Sequence, residues 1–256
     1  MEIVRVRFID KENTGCEKAP IAILERFKNI SCKENGSGIV KDMLRFEEIH
    51  VNLADAAEAD YLIFENGKET FERNFKSFFI GGDTSVLYPL LRAFTKTEKN
   101  PLTIVFDAHA GCGSSPHLDK IWLSQLAEER QNIVLVGTRA YAPDEKSFLK
   151  DKHILSIDRG LLGEDCEGIC DLLMERAHAA SGFFVCIDLD VVDPSGAPGV
   201  THIEPGGISS SELIYFVKRL SLLKNFKGAA ILGANPDKDV NGMTVALGAR
   251  LLAEMV

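Results

Sequence analysis

The sequence predicts an α/β fold: one domain of three layers, with helices on both faces of a mostly parallel, doubly wound sheet. Three observations carry this. Short β-branched or aromatic runs alternate with longer segments of helical periodicity along the whole chain. Several of those runs are apolar without a break, as strands covered on both faces must be. The 256 residues, 45% of them hydrophobic, supply a core for such a domain without a metal or disulfide to hold it together. No repeat, low-complexity tract or long linker divides 1–256.

The chain opens on a strand over 3–9, where Ile3, Val4, Val6, Phe8 and Ile9 are β-branched or aromatic. A helix is predicted over 20–28, then strands over 48–51 and 61–64, the latter from the run Tyr61-Leu62-Ile63-Phe64. The region 29–69 is otherwise weakly periodic and fits an irregular excursion or a small hairpin. The run Phe78-Phe79-Ile80 gives a strand over 78–80, and apolar spacing gives a helix over 85–94. Strand 102–106 leads to a helix over 118–130, whose Trp122, the only tryptophan, is placed as a packing residue. Strands follow over 133–136 and 154–157, a helix over 164–180, and an unbroken apolar strand over 183–187. Ser209-Ser210-Ser211-Glu212 offers a capping start for a helix over 209–220. Strand 229–232 and helix 242–255 complete the alternation.

Lys and Arg number 29 against 38 Asp and Glu, a formal charge of −9. That balance argues against duplex nucleic acid or an anionic membrane as partner, since both reward basic surfaces. No window approaches the roughly 20 apolar residues that span a bilayer. Met1-Glu2-Ile3-Val4-Arg5 is a charged strand and not a secretion signal, so a cytoplasmic location is expected. The six cysteines are scattered and are expected to be reduced thiols. Cys166 and Cys170 lie four apart, which is one helix face and not a C-x-x-C pair, and Cys186 sits in a core strand.

In a doubly wound sheet ligands collect outside the carboxyl ends of the strands, so the residues after each strand are the informative ones. Three handovers stand out: Gly81-Gly82-Asp83-Thr84-Ser85, Asp107-Ala108-His109-Ala110-Gly111-Cys112, and Asp188-Leu189-Asp190-Val191-Val192-Asp193-Pro194. Residues i and i+2 of an extended segment point the same way, so Asp107 with His109 and Asp188 with Asp190 can converge on one ion. Carboxylates plus an imidazole suit Mn²⁺, Zn²⁺ or Fe²⁺ better than Mg²⁺ or Ca²⁺. Buried anions at this density repel without a cation. The competing explanation is structural, since Asp at strand ends also serves turns and helix caps. A nucleotide site is disfavoured because no Gly-x-x-x-x-Gly-Lys loop exists.

These three segments resemble the signature motifs of the ureohydrolases, the family of arginase, agmatinase and formiminoglutamase. The family patterns are Gly-Gly-Asp-His-Ser, Asp-Ala-His-x-Asp and Ser-x-Asp-x-Asp-x-x-Asp-Pro. Further matches occur in order: Gly15 to Pro20, Ala197-Pro198-Gly199, Glu204-Pro205-Gly206-Gly207, Asn235-Pro236 and a C-terminal helix. The resemblance thus covers nearly the whole chain and implies an arginase/deacetylase-like fold. It also implies two manganese ions that together activate a water against a guanidinium-type carbon. One ion takes the residues matching Asp107, His109, Asp188 and Asp190, and all four are present. The other also needs a His at Thr84 and an Asp at Gly111, and has lost both. The family's Glu that pairs with a guanidinium falls on Gly233.

What the resemblance then implies is a metal-dependent hydrolase acting on C–N bonds of a linear amidine or amide. It would use one ion per chain, manganese or else zinc or iron, and arginase or agmatinase activity at family rates is not expected. His117 and His202 are the candidate catalytic bases; Cys112, one past the missing Asp, is a weaker candidate ligand. Asp83 and Asp193 are assigned to loop support, and His50, His153 and His178 to the surface. The alternative is a non-catalytic scaffold, regulatory subunit or small-molecule binder. A small-molecule ligand and a homo-oligomer are the expected partners.

Overall fold

The computed structural model describes residues 1–73, 76–127 and 132–256. Eight parallel strands make one sheet in the order β2-β1-β3-β8-β7-β4-β5-β6. They are β1 (Glu2–Val6), β2 (Arg45–Ile49), β3 (Ser77–Gly81), β4 (Pro101–Phe106), β5 (Ile133–Thr138), β6 (Leu155–Asp158), β7 (Gly182–Asp188) and β8 (Phe226–Leu232). The helices are α1 (Ala19–Phe27), α2 (Ala56–Glu72), α3 (Leu87–Thr97), α4 (Trp122–Leu126), α5 (Glu145–Asp151), α6 (Arg159–Glu164), α7 (Cys166–Ala179), α8 (Ser210–Ser221) and α9 (Met243–Met255).

The period of two along each strand sorts the core into two layers. Phe78, Ile80, Val185 and Ile187 pack against α1, α7, α8 and α9 on one face. Phe79, Phe184 and Cys186 pack against α2, α3 and α4 on the other. On that second face Phe71, Phe79, Phe94 and Phe184 form a ring cluster in which Phe184 meets Phe71 at 5.3 Å, Phe94 at 5.5 Å and Phe79 at 6.1 Å. The strands β3 and β4 are consecutive in the chain, yet β8 and β7 lie between them. The crevice at the carboxyl end of β3-β8-β7-β4 is therefore where loops from both halves of the chain meet.

Most predicted elements are present, with three differences. Residues 61–64 are not a strand but the middle of α2, opened by Asp55, whose carboxylate accepts from Glu58 N at 3.0 Å. Ala59, Ile63, Gly67 and Phe71, spaced by four, form with Thr70 the buried stripe of that helix, which the local run Leu62-Ile63-Phe64 hides. The helix expected over 118–130 is broken into a short 3₁₀ turn, Leu118–Lys120, and α4; positions 128–130 lie outside the described residues. The excursion within 29–69 contains one antiparallel bridge, Cys32 to Gly38, before β2. Helices α5 and α6 lack a long apolar stripe and were not anticipated. The capping start at Ser209 is present: Ser209 Oγ accepts from Glu212 N at 3.1 Å and Ser209 N donates to Glu212 Oε2 at 2.6 Å. All six cysteines are free thiols, and among the described residues no helix is long and apolar enough to cross a membrane.

Candidate functional site

At the end of β4 the backbone leaves the sheet through Asp107 and His109, and at the end of β7 through Asp188 and Asp190. Each carboxylate closes its own turn. His109 N donates to Asp107 Oδ1 at 2.7 Å, and Asp190 N donates to Asp188 Oδ1 at 2.9 Å. The two turns are stitched together because Ala108 N donates to Asp190 Oδ1 at 3.0 Å. His109 Nδ1 then lies 2.8 Å from Asp190 Oδ2 and 3.7 Å from Asp107 Oδ1. One donor atom from each of Asp107, His109 and Asp190 falls within 4.8 Å of the others. Asp188 is buried beside them, but its carboxylate lies outside that compact group.

Burial governs the charges here. It pushes the Asp107 carboxyl up to about 7, with the Asp190 charge adding to the rise. Asp188 is driven well above the usual carboxylate range by burial and then by Asp190 and Asp107. Burial also works against the His109 imidazolium, but its Asp107 and Asp190 partners outweigh it and hold the ring at about 11. Three buried carboxylates thus share one imidazolium, an arrangement that a divalent cation neutralises. The oxygen and imidazole donors of Asp107, His109 and Asp190 fit such an ion.

The other half of the family's dinuclear site does not fit. Thr84 Oγ1 is spent on the carbonyl of Asp119 at 2.8 Å. Gly111 has φ +69°, and a Cβ there would collide with the Trp122 indole nitrogen and come within 2.7 Å of two indole carbons. Trp122 is fully buried, and its Nε1 has no hydrogen-bond partner among the described residues. The indole therefore occupies the space a side chain at 111 would enter. Position 233 is closed in the same way: Gly233 has φ +81°, and a Cβ there would collide with Asp188 Oδ1 and lie 2.6 Å from its Cγ.

A cavity of about 990 Å³ is lined by the ligand group Asp107, His109 and Asp190, by Asp188, and by His202, Glu204 and Tyr141. His202 Nε2 is 3.1 Å from Asp119 Oδ2, and its ring meets that of His109 at 5.6 Å. The same Asp119 oxygen accepts from Asn13 Nδ2 at 2.9 Å, and Asn13 Nδ2 also donates to Asp83 Oδ2 at 2.6 Å. His117 is placed elsewhere: its Nδ1 is 3.2 Å from Asp10 Oδ1 and its Nε2 3.5 Å from Glu12 Oε1, and it does not line the cavity. Cys112 is turned toward α5, where its N donates to Glu145 Oε1 at 3.1 Å. Burial, reinforced by Glu145 and Asp144, pushes its thiol up to about 12. Asp83 and Asp193 do support loops, accepting from Ser85 N and Ser195 N at 3.0 Å each. His50, His153 and His178 are exposed as expected.

Two site residues have no signal in the sequence, Asp119, hidden in a predicted helix, and Arg139; Trp122 and Glu204 stand out there only as a packing residue and as part of the Glu204-Pro205-Gly206-Gly207 match, without a role at the site. The Arg139 guanidinium reaches the carbonyls of Asp190 at 2.7 Å, Val191 at 3.2 Å, Glu204 at 2.5 Å and Pro205 at 3.2 Å. A cation placed among carbonyls carries no local pattern that spacing could show.

The profile described as "Arginase family" matches residues 6–256. The formimidoylglutamase of Bacillus subtilis is 25% identical, aligned over 94% of this chain and 80% of its own length. A mitochondrial arginase of Oryza sativa is 27% identical over 76% of this chain and 58% of its own, so the chain spans little more than half of that relative. Among solved structures, that Bacillus subtilis formimidoylglutamase superimposes with a TM-score of 0.91 at 23% identity, covering 99% of this chain and 85% of the other. The proclavaminate amidino hydrolase of Streptomyces clavuligerus gives 0.88 at 22%, covering 99% and 89%.

Proposed function

This chain belongs to the arginase family, and from that premise we propose that it is a metal-dependent hydrolase acting on a C–N bond of a small linear amidine or amide. The observation that supports this best is the convergence of Asp107, His109 and Asp190 within 4.8 Å in the lining of a cavity of about 990 Å³. These three side chains, with Asp188 at their edge, would hold one ion. Manganese is the ion proposed, and the same donors suit zinc or iron. When bound, such an ion supplies Lewis acidity and makes an attacking water more acidic.

The protein's own groups do the rest. His202 faces the cavity and is oriented by the buried Asp119 carboxylate, so we assign it the proton that the departing nitrogen must receive. His117, tied to Asp10 and Glu12 outside the cavity lining, is assigned to anchoring the loop at 8–13 against that at 117–120. Asp107 and Asp190 fix the His109 ring through Nδ1, and Arg139 fixes the segment that carries Asp190. The proposed setting is a cytoplasmic homo-oligomer with a small-molecule substrate, which sedimentation of the purified chain tests for its assembly state.

Metal content tests the proposal. After dialysis against Mn²⁺ the full chain should retain about one ion, Asp190→Ala should retain almost none, and Thr84→Ala should match wild type. Equal loss in both variants would sink the half-site arrangement. A second reading, a non-catalytic binder of the same fold, is favoured by the closed positions 111 and 233. No retained metal under conditions that load a true arginase would decide for it.

A further inference from the structure

The Asp119–His202 pair is held in place by a residue that no motif marks. Asn13 is 2% exposed, and its one amide nitrogen donates to two carboxylates, Asp83 Oδ2 at 2.6 Å and Asp119 Oδ2 at 2.9 Å. Both partners accept, so the NH₂ end of the amide must face them, with one hydrogen for each. Asp83 is the fixed post of this bridge. Its Oδ1 accepts from Ser85 N at 3.0 Å, and its Oδ2 also accepts from Asp10 N at 2.8 Å.

Asp119 is fixed at its backbone, where Thr84 Oγ1 donates to its carbonyl at 2.8 Å. Its carboxylate has less support. Asn13 and His202 both meet Oδ2, and Oδ1 has no partner among the described residues. Without Asn13, this buried group would keep a single hydrogen-bond partner. Burial works against the Asp119 charge, but His202 and Asn13 outweigh it and hold the carboxyl below the usual carboxylate range. An ionised carboxylate only accepts, so the hydrogen between Asp119 and His202, 3.1 Å apart, belongs to His202 Nε2. Nδ1 of that ring makes no hydrogen bond among the described residues, and the ring lines the main cavity.

We infer that Asn13 is a positioning residue: by tying Asp119 to Asp83 it fixes His202 as the tautomer with hydrogen on Nε2, and leaves Nδ1 to exchange protons with the cavity. This deepens the hydrolase reading, on which the use of Nδ1 rests. A proton leaves the attacking water for Nδ1 and passes from Nδ1 to the departing nitrogen, so His202 ends as it began. In between, the ring is an imidazolium, and the fixed Asp119 charge stabilises it.

The test reads the tautomer directly. The full chain with ¹⁵N-labelled histidine, purified without metal, is followed by long-range ¹H–¹⁵N correlation at about pH 8.5, above the ordinary imidazole range. His202→Gln assigns the ring. Wild type should carry the hydrogen on Nε2 by about ten to one or more, because the bond is to an ion. Asp119→Asn should invert this: Asn13 claims the oxygen of the new amide, whose NH₂ turns to His202, so Nε2 accepts and the hydrogen moves to Nδ1. Asn13→Leu, close in volume but without a donor, should relax the ratio toward that of the exposed His178 in the same sample. Asn13→Ser, with one hydroxyl for two carboxylates, should fall between. Hydrogen still on Nε2 in Asp119→Asn overturns the inference. So does a wild-type ratio in Asn13→Leu, or in Asn13→Ser should the Leu variant not fold, since a packing role leaves the tautomer alone. Zn²⁺ uptake by the same samples separates the two readings. A chain that takes up none but shows the inversion fails the hydrolase reading alone, and one that takes up about one ion without the inversion fails only the assignment of Asn13 and Asp119.

Discussion

At position 111 a side chain would enter the Trp122 indole, and at position 233 it would enter the Asp188 carboxylate. At each glycine a neighbouring side chain fills the space a Cβ would need, so a side chain cannot be added at either position without moving that neighbour. Gly111→Asp asks a non-glycine residue to sit at φ +69° and to displace a buried indole. A loss of roughly 2–4 kcal/mol is expected from the two effects together, read as a lower urea midpoint. For the same reason Thr84→His with Gly111→Asp should not raise Mn²⁺ content above wild type, and elemental analysis of the variant checks this. Proton linkage gives a second residue-level prediction. The Asp107 carboxyl sits at about 7 and the His109 imidazolium at about 11 without an ion, and both must be deprotonated to ligate. Binding therefore releases protons, and affinity should fall as pH drops from about 8 to about 6. Calorimetry in two buffers of different ionisation enthalpy measures that release directly.

Among the elements, β7 has the most to do. It is central, every residue from Gly182 to Asp188 is buried, and its last residue begins the ligand turn. Phe184, halfway along it, touches three other rings, and Phe184→Ala should cost about 3–5 kcal/mol in denaturant unfolding. The loss would fall on the scaffold, since Phe184 faces the layer of α2 and α3 and not the cavity. Strands like β7 were legible in the sequence because a buried parallel strand is an uninterrupted apolar run, and the ligands after it follow from the rule of strand ends. What was hidden depended on register between distant segments. Helix α2 was missed at 61–64 because three adjacent apolar residues mask a stripe that repeats every four. The sequence pattern places Asp119 in a turn of a regular helix, whereas Ile121, with ψ near 1°, breaks the segment and leaves Asp119 facing His202. Arg139 acquires its role only when the loops after β5 and β7 meet.

On the scale of the whole molecule, the ligand turns belong to strands far apart in sequence and adjacent in the sheet. An ion there would clasp the segments at 107–109 and 188–190 together, and so would bind the folded chain and not the unfolded one. Saturation at about a hundred times Kd adds roughly 2.7 kcal/mol of stability, which for a chain of this size raises Tm by roughly 5–10 °C. EDTA should reverse the shift, and Asp190→Ala should abolish it. Trp122 gives this molecule one more property. It is the sole tryptophan, it is fully buried, and its indole nitrogen borders Gly111, two residues beyond His109. The protein consequently carries its own optical probe: emission excited through that single indole comes from the wall of the site, and paramagnetic Mn²⁺ arriving at His109 should quench it without any label being attached.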